Sequence, residues 1–265
     1  DKYIENTTQL ISDSQKFLRE KNGYYSVSLR DIRRFCKFYN WFKDLYRLIQ
    51  ELKYIKVIDY LSSKEIQDNS VVLSLYMTYY IRLTNKEDRM QYKEKIENFD
   101  SIVEQFQNII FDDIFQDSVS EGIAKSKGLL ATIFCIFTCM NTQTPLIICG
   151  KPGCGKSLSA SKIFQAMKGI NSKGRILKKL PQPILISYQG SLTSTSKEIE
   201  SIFSRAKSHY EGIEHQENYI PVVYIDELGL AEKAKDNPLK VLHYTLETDE
   251  DIGMDVSEDN SQKSK

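Results

Sequence analysis

The chain has 265 residues, 41% of them apolar, which is more than one average domain and enough to bury a substantial core. Lys plus Arg and Asp plus Glu balance at 36 each, which excludes a global field that would draw the molecule to nucleic acid or an anionic membrane. Five cysteines with no CxxC pair argue against a disulfide framework and for a reducing compartment, and the longest apolar run, Gly128 to Met140, is too short to span a bilayer. A cytoplasmic protein with no transmembrane segment is expected, and the first residue, Asp1 rather than Met, suggests a fragment or processed piece.

Leu10, Ile11, Ser14, Phe17 and Leu18 share a helical face over residues 8–21, and Gly23 ends that helix. Ser28-Leu29-Arg30-Asp31 reads as a capping box opening a second helix, whose core stripe is Ile32, Phe35, Tyr39, Phe42, Leu45 and Ile49. Arg30 and Arg33 oppose the dipole of its first turns. Solvated surface is the simpler reading of these cations and a phosphate partner the alternative. Ser70 to Leu83 is apolar nearly all round, a buried helix. The polar stretch Thr84 to Gln91 is the expected boundary of this helical unit, residues 1–84. Beyond it Tyr92, Ile96, Phe99, Val103, Phe106 and Ile110 step by threes and fours, a helix packed on the next domain.

The second domain, residues 92–248, is organised by Gly150-Lys151-Pro152-Gly153-Cys154-Gly155-Lys156-Ser157, a complete GxxxxGKS pattern. A helix over 122–140 leads in, Leu146 to Cys149 reads as a buried parallel strand, and Leu158, Ile163, Phe164 and Met167 continue as a helix. Nucleotide phosphates carry dense negative charge, and successive main-chain N–H groups at a helix N-terminus can surround it without reorganising. Gly150, Gly153 and Gly155 allow close approach, Pro152, Cys154 and Leu158 complete the loop, Lys156 reaches the β- and γ-phosphates, and Ser157 offers its hydroxyl to Mg²⁺. ATP with Mg²⁺ is the expected ligand.

Lys173, Arg175, Lys178 and Lys179 form a basic connection, read as solvated. Ile184 to Tyr188 is a second strand, Lys197 to Tyr210 a helix, and Tyr219 to Ile225 a third strand. That last strand ends in Asp226-Glu227, where Asp226 would hold Mg²⁺ through its hydration shell and Glu227 would act as general base on a water. Alternating strands and helices predict a three-layer α/β core around a parallel sheet. His209, His215 and His243 lack metal spacing.

The phosphate loop, Ile186 to Ser191 with Ser194-Thr195, and Asp226 to Glu232 followed by Pro238 to His243 together resemble the mysterin family of giant AAA+ RING-type E3 ubiquitin ligases. Ser26 to Ile32 is similar to the helical lid that precedes one AAA+ core there, and the resemblance covers roughly residues 5–248. It implies the lid of one AAA+ module in residues 1–84, the nucleotide-binding core of the next in 92–248, and a sensor-2-like role for Arg30 at another module's site. Neighbouring AAA+ modules are the implied partners, with ubiquitin-pathway proteins reached through regions not in this chain, and no nucleic acid. The zinc-binding RING region of the family is not among these residues.

After Glu247 the family pattern gives way to an acidic, polar tail, residues 249–265, expected to be disordered. The resemblance also implies a fourth strand with a polar sensor residue, an arginine finger and a second lid, none of which this sequence supplies. ATP binding with weak hydrolysis is therefore the expected activity. The alternative is a nucleotide-binding scaffold that does not hydrolyse.

Overall fold

The computed structural model describes residues 2–53, 55–116, 123–235, 237–243 and 245–246. They divide into two compact units, within residues 1–181 and 182–265. The tail expected to be disordered, 249–265, lies outside the described residues.

The first unit is helical. Helix α1 (Lys2–Asn22) buries Ser14, Phe17 and Leu18. Helix α2 (Leu29–Glu51) opens on the expected capping box, with the Ser28 N–H donating to Asp31 Oδ2 at 2.8 Å. Its buried stripe is Phe35, Phe38, Phe42, Leu45, Tyr46 and Ile49, while Ile32 and Tyr39 are only half-buried. A short α3 (Lys56–Asp59) precedes α4 (Ser63–Thr78), started by a second capping box between Ser62 and Glu65. From Ser70 to Thr78 every residue of α4 is buried, as expected of a stretch apolar nearly all round, and its serines are satisfied internally: Ser70 Oγ donates to Ile66 O and Ser74 Oγ to Ser70 O, both at 2.6 Å.

Helices α5 (Lys86–Lys93) and α6 (Phe99–Ile114) continue this unit. The boundary expected at 84–91 falls inside it. Tyr92 is buried against α1, with its hydroxyl 2.8 Å from Ser14 Oγ and its ring edge-on to Phe17. Asp31 and Arg82 tie the start of α2 to the turn after α4, Oδ1 to Nη1 at 3.0 Å. Helix α7 (Lys127–Asn141) brings Phe134 into a ring cluster with Phe42, Tyr76 and Phe106. Such pairs add about 0.5–1.5 kcal/mol each beyond the area they bury. Helix α8 (Lys156–Ala166) packs on α7 through a flank that includes Ala160 and Ile163.

The second unit is a β–α–β element. Strand β1 (Gln182–Gln189) pairs in parallel with β2 (Tyr219–Asp226), in register from Gln182 opposite Tyr219 to Gln189 opposite Asp226. Helix α9 (Ser196–Glu211) makes the crossover a parallel pair requires and packs on both strands, burying Ile199, Ile202 and Ala206. A short α10 (Leu228–Glu232) follows β2. Two of the three expected strands form. Leu146 to Cys149 is not in a ladder among the described residues: Ile147 is 71% exposed, while Leu146 and Ile148 are half-buried. A strand is defined by the neighbour that satisfies its backbone, and this run has the sequence without the neighbour. No helix among the described residues is long and apolar enough to cross a membrane.

Candidate functional site

The phosphate-loop residues of the sequence fold as one turn at the start of α8, in the first unit. Gly153 and Gly155 have φ of +77° and +87°, the left-handed region that glycine enters without penalty, and Gly155 is the N-cap of α8. At Gly150 a Cβ would meet Cys154 Sγ at 2.8 Å, so the exposed Cys154 side chain would have to turn aside. No side chain caps α8, and the positive end of the helix dipole lies at this turn. Lys156 turns back over the loop. Its Nζ donates to Gly150 O at 2.8 Å and Lys151 O at 3.1 Å and lies 3.6 Å from Cys154 Sγ. Pro152, Cys154, Ser157 and Leu158 are exposed around it.

The loop is tied to the core from behind. The position a Gly155 Cβ would take is 3.4 Å from Leu129 Cδ1 of α7, and the Ser159 N–H and Oγ both donate to Gly155 O at 2.8 Å. A helix N-terminus without a side-chain cap, two left-handed glycines and an ammonium already resting on carbonyl oxygen together fit the phosphates of a nucleotide.

The acidic pair lies in the second unit. Asp226 ends β2 and is half-buried; Glu227 is exposed and takes φ +53°, ψ +38°, with its N–H donating to Asp226 Oδ1 at 2.9 Å. A left-handed glutamate is uncommon and costs of the order of 1–2 kcal/mol. The surroundings hold it there: Gly190 N donates to Asp226 O at 2.8 Å, and a Cβ on Gly190 would lie 2.6 Å from Glu227 O and 3.1 Å from Ala231 Cβ. Glycine at the end of β1 is thus the condition for the turn that swings Glu227 off the strand axis.

Arg30 is exposed in the first turn of α2. A residue that sequence reasoning missed is Asp113, near the end of α6, only 1% exposed and accepting the N–H of Ile176 at 3.1 Å and of Leu177 at 3.0 Å. Burial pushes its carboxyl above the ordinary range, opposed by those main-chain donors. The signal was its position three residues after Ile110, on the buried stripe of α6.

A glycine loop at a helix start and a parallel β–α–β element whose second strand ends at Asp226 fit an α/β fold of the AAA class. The model of the family described as the RNF213 AAA domain matches residues 122–264, more than half of the chain, and the chain belongs to that family. Similar proteins are E3 ubiquitin-protein ligase RNF213 of Homo sapiens, 31% identical over 92% of this chain, and of Mus musculus, 31% over 90%. E3 ubiquitin-protein ligase rnf213-beta of Danio rerio is 29% identical over 91%. The chain spans 5% of the length of each of these relatives.

Proposed function

We propose that this chain is an ATP-binding AAA+ module that hydrolyses ATP with Mg²⁺. The observation that carries the reading is the placement of Lys156 Nζ against the carbonyls of Gly150 and Lys151 at the open N-terminus of α8. Those carbonyls hold the ammonium in place, and a triphosphate, carrying far more charge than a peptide oxygen, would draw it outward. In this reading the amides from Gly153 to Ser157 bind phosphate oxygens, Ser157 is a ligand to Mg²⁺, and Leu158 lies against the nucleotide. When bound, the cation neutralises charge on the phosphates. It needs only one or two protein ligands besides water, so a serine hydroxyl would suffice, and the Asp226 carboxylate would act on it through its hydration shell. Glu227, exposed at the end of its strand, accepts the proton of the attacking water.

The remaining strands of a three-layer core, a lid role for residues 1–84 and a sensor role for Arg30 belong to the same proposal. So do neighbouring AAA+ modules as partners and a cytoplasmic setting. Ubiquitin transfer, named in the relatives, is assigned to none of these residues. The test is thermal unfolding with and without Mg·ATP. Ligand at a hundred times its dissociation constant stabilises by about 2.7 kcal/mol, roughly 5–10 °C for a chain of this size. A well-folded chain whose melting curve ignores Mg·ATP would refute the proposal.

A further inference from the structure

The chain as a whole is neutral, yet residues 122–197 contain no Asp or Glu and eleven Lys or Arg. Two of these cations are neutralised locally, Lys125 by Asp112 at 2.7 Å and Lys127 by Glu104 at 2.6 Å, and Lys156 rests on its loop. Five others, Lys168, Lys173, Arg175, Lys178 and Lys179, crowd into twelve residues after α8, and all five are exposed. Among the described residues Lys168, Lys178 and Lys179 have no ion pair.

The backbone that displays them is held firmly. Ile176 and Leu177 are only 0% and 1% exposed, and their N–H groups are the ones Asp113 accepts. Lys168 N donates to the buried Ser172 Oγ at 2.8 Å, and Lys178 N to Gly174 O at 3.0 Å. Between the cations Ile170 stands 82% exposed. Like charges concentrated on a fixed turn repel one another, so the arrangement is relieved when an anionic surface covers it. The stretch 168–179 has no aromatic side chain for a nucleic-acid base to stack on, so it lacks one of the two features of a single-strand binding groove.

The same sequence contains the complement. Residues 247–259 carry seven Asp or Glu and no Lys or Arg, with Ile252, Met254 and Val256 at every second position. Laid out as an extended segment, that alternation puts three apolar side chains on one side. We propose that residues 247–259 of a second copy of this chain dock on the surface formed by Lys168, Ile170, Lys173, Arg175, Lys178 and Lys179. The acidic side chains face the cations, and an apolar side chain covers Ile170. The contact is heterologous, basic surface to acidic segment, so it links copies head to tail. It is independent of the nucleotide reading and involves none of the residues assigned to it.

Sedimentation velocity on the full chain without nucleotide tests this, over a range of concentrations in about 50 mM and about 500 mM salt. The expected result is concentration-dependent association, weakened at least about tenfold by the higher salt. A variant carrying Lys168→Glu, Lys178→Glu and Lys179→Glu should remain monomeric, as should one carrying Asp249→Lys, Glu250→Lys and Asp251→Lys. Mixing the two should restore association, because the unchanged basic surface of the segment variant then meets the unchanged acidic segment of the lysine variant. Circular dichroism establishes that each is folded. Three results would overturn the proposal: a wild-type chain monomeric under every condition, reversed variants that associate like wild type, or a mixture that stays monomeric. Binding of single-stranded RNA or anionic vesicles by a monomeric wild type, lost in the lysine variant, would overturn it in favour of that partner.

Discussion

Lys156 Nζ lies 2.8 Å from the carbonyl oxygen of Gly150, six residues back along its own loop. The loop therefore uses the cation as an internal brace, and the brace is the group a phosphate would recruit. Lys156→Ala should take away an internal contact and the ligand site together, whereas Lys156→Arg keeps the charge but not the compact point geometry. Both variants should remain folded, and neither should show the Mg·ATP melting shift of wild type.

Gly155→Ala should be costly, because its φ of +87° is unfavourable for any side chain and the new methyl would touch Leu129 Cδ1 at 3.4 Å. A loss of about 1–2 kcal/mol in the unfolding of the first unit is expected, read by denaturant titration. An unchanged midpoint would show that the loop relaxes freely and is not preorganised.

Gly190→Ala tests the acidic turn of the second unit. The added Cβ would meet Glu227 O at 2.6 Å, so the end of β1 and the turn at Glu227 must part. A destabilisation of about 1–3 kcal/mol is expected from such overpacking. Hydrolysis should fall while nucleotide affinity holds, since the phosphate loop is untouched. Equal losses in both would mean that the acidic turn also carries binding.

Glu227→Gln leaves the side-chain shape and removes the base. Phosphate release should fall at least about a hundredfold, with the melting shift by Mg·ATP retained. If wild type releases no phosphate above background although it binds, the chain is a nucleotide-dependent scaffold, the second reading of its sequence.

Acid stability should show two opposing contributions. Glu198 and Glu65 are held below the ordinary carboxylate range, Glu198 first by the Thr195 N–H and Glu65 first by the Ser62 hydroxyl. Their contribution is present above the unfolded pKa and is lost as pH falls through the folded one. Asp113 has the opposite sign. Burial raises its pKa, so the native state binds the proton more readily, and Asp113 weakens stability as pH rises from the unfolded to the folded value. Asp113→Asn should remove that slope. Asp113→Ala should cost about 1–3 kcal/mol at neutral pH by stranding the amides of Ile176 and Leu177. Denaturant melts between acid and neutral pH separate the two carboxylate classes.

Much of this was legible in the sequence because it depends on local chemistry. The capping box at Ser28 and Asp31, the all-buried stretch from Ser70 and the strand that ends at Asp226 each follow from spacing over a few residues. The glycines of the phosphate loop fold as their spacing implied, and their ligand is still to be measured. Long-range pairing was not legible. Nothing in Leu146 to Cys149 tells whether a neighbouring strand is at hand, so an apolar run that reads as a strand is observed without a ladder. The stripe of α2 was read one position off at Phe38, which is buried where Tyr39 was expected, and it missed Tyr46, which joins Leu45 in the core with its ring 4.9 Å from that of Phe106 on α6. Asp113 was passed over because its partners are main-chain amides more than sixty residues away, which no side-chain pattern records.

The central claim is tested most directly by equilibrium binding of a fluorescent ATP analogue to the whole chain in Mg²⁺, wild type beside Lys156→Ala, with circular dichroism as the control for folding. Saturable binding by wild type, competed by ATP and lost in the variant, is the result expected of a phosphate cradle at the start of α8. Binding of equal strength by a folded Lys156→Ala chain, or none by wild type, would contradict it.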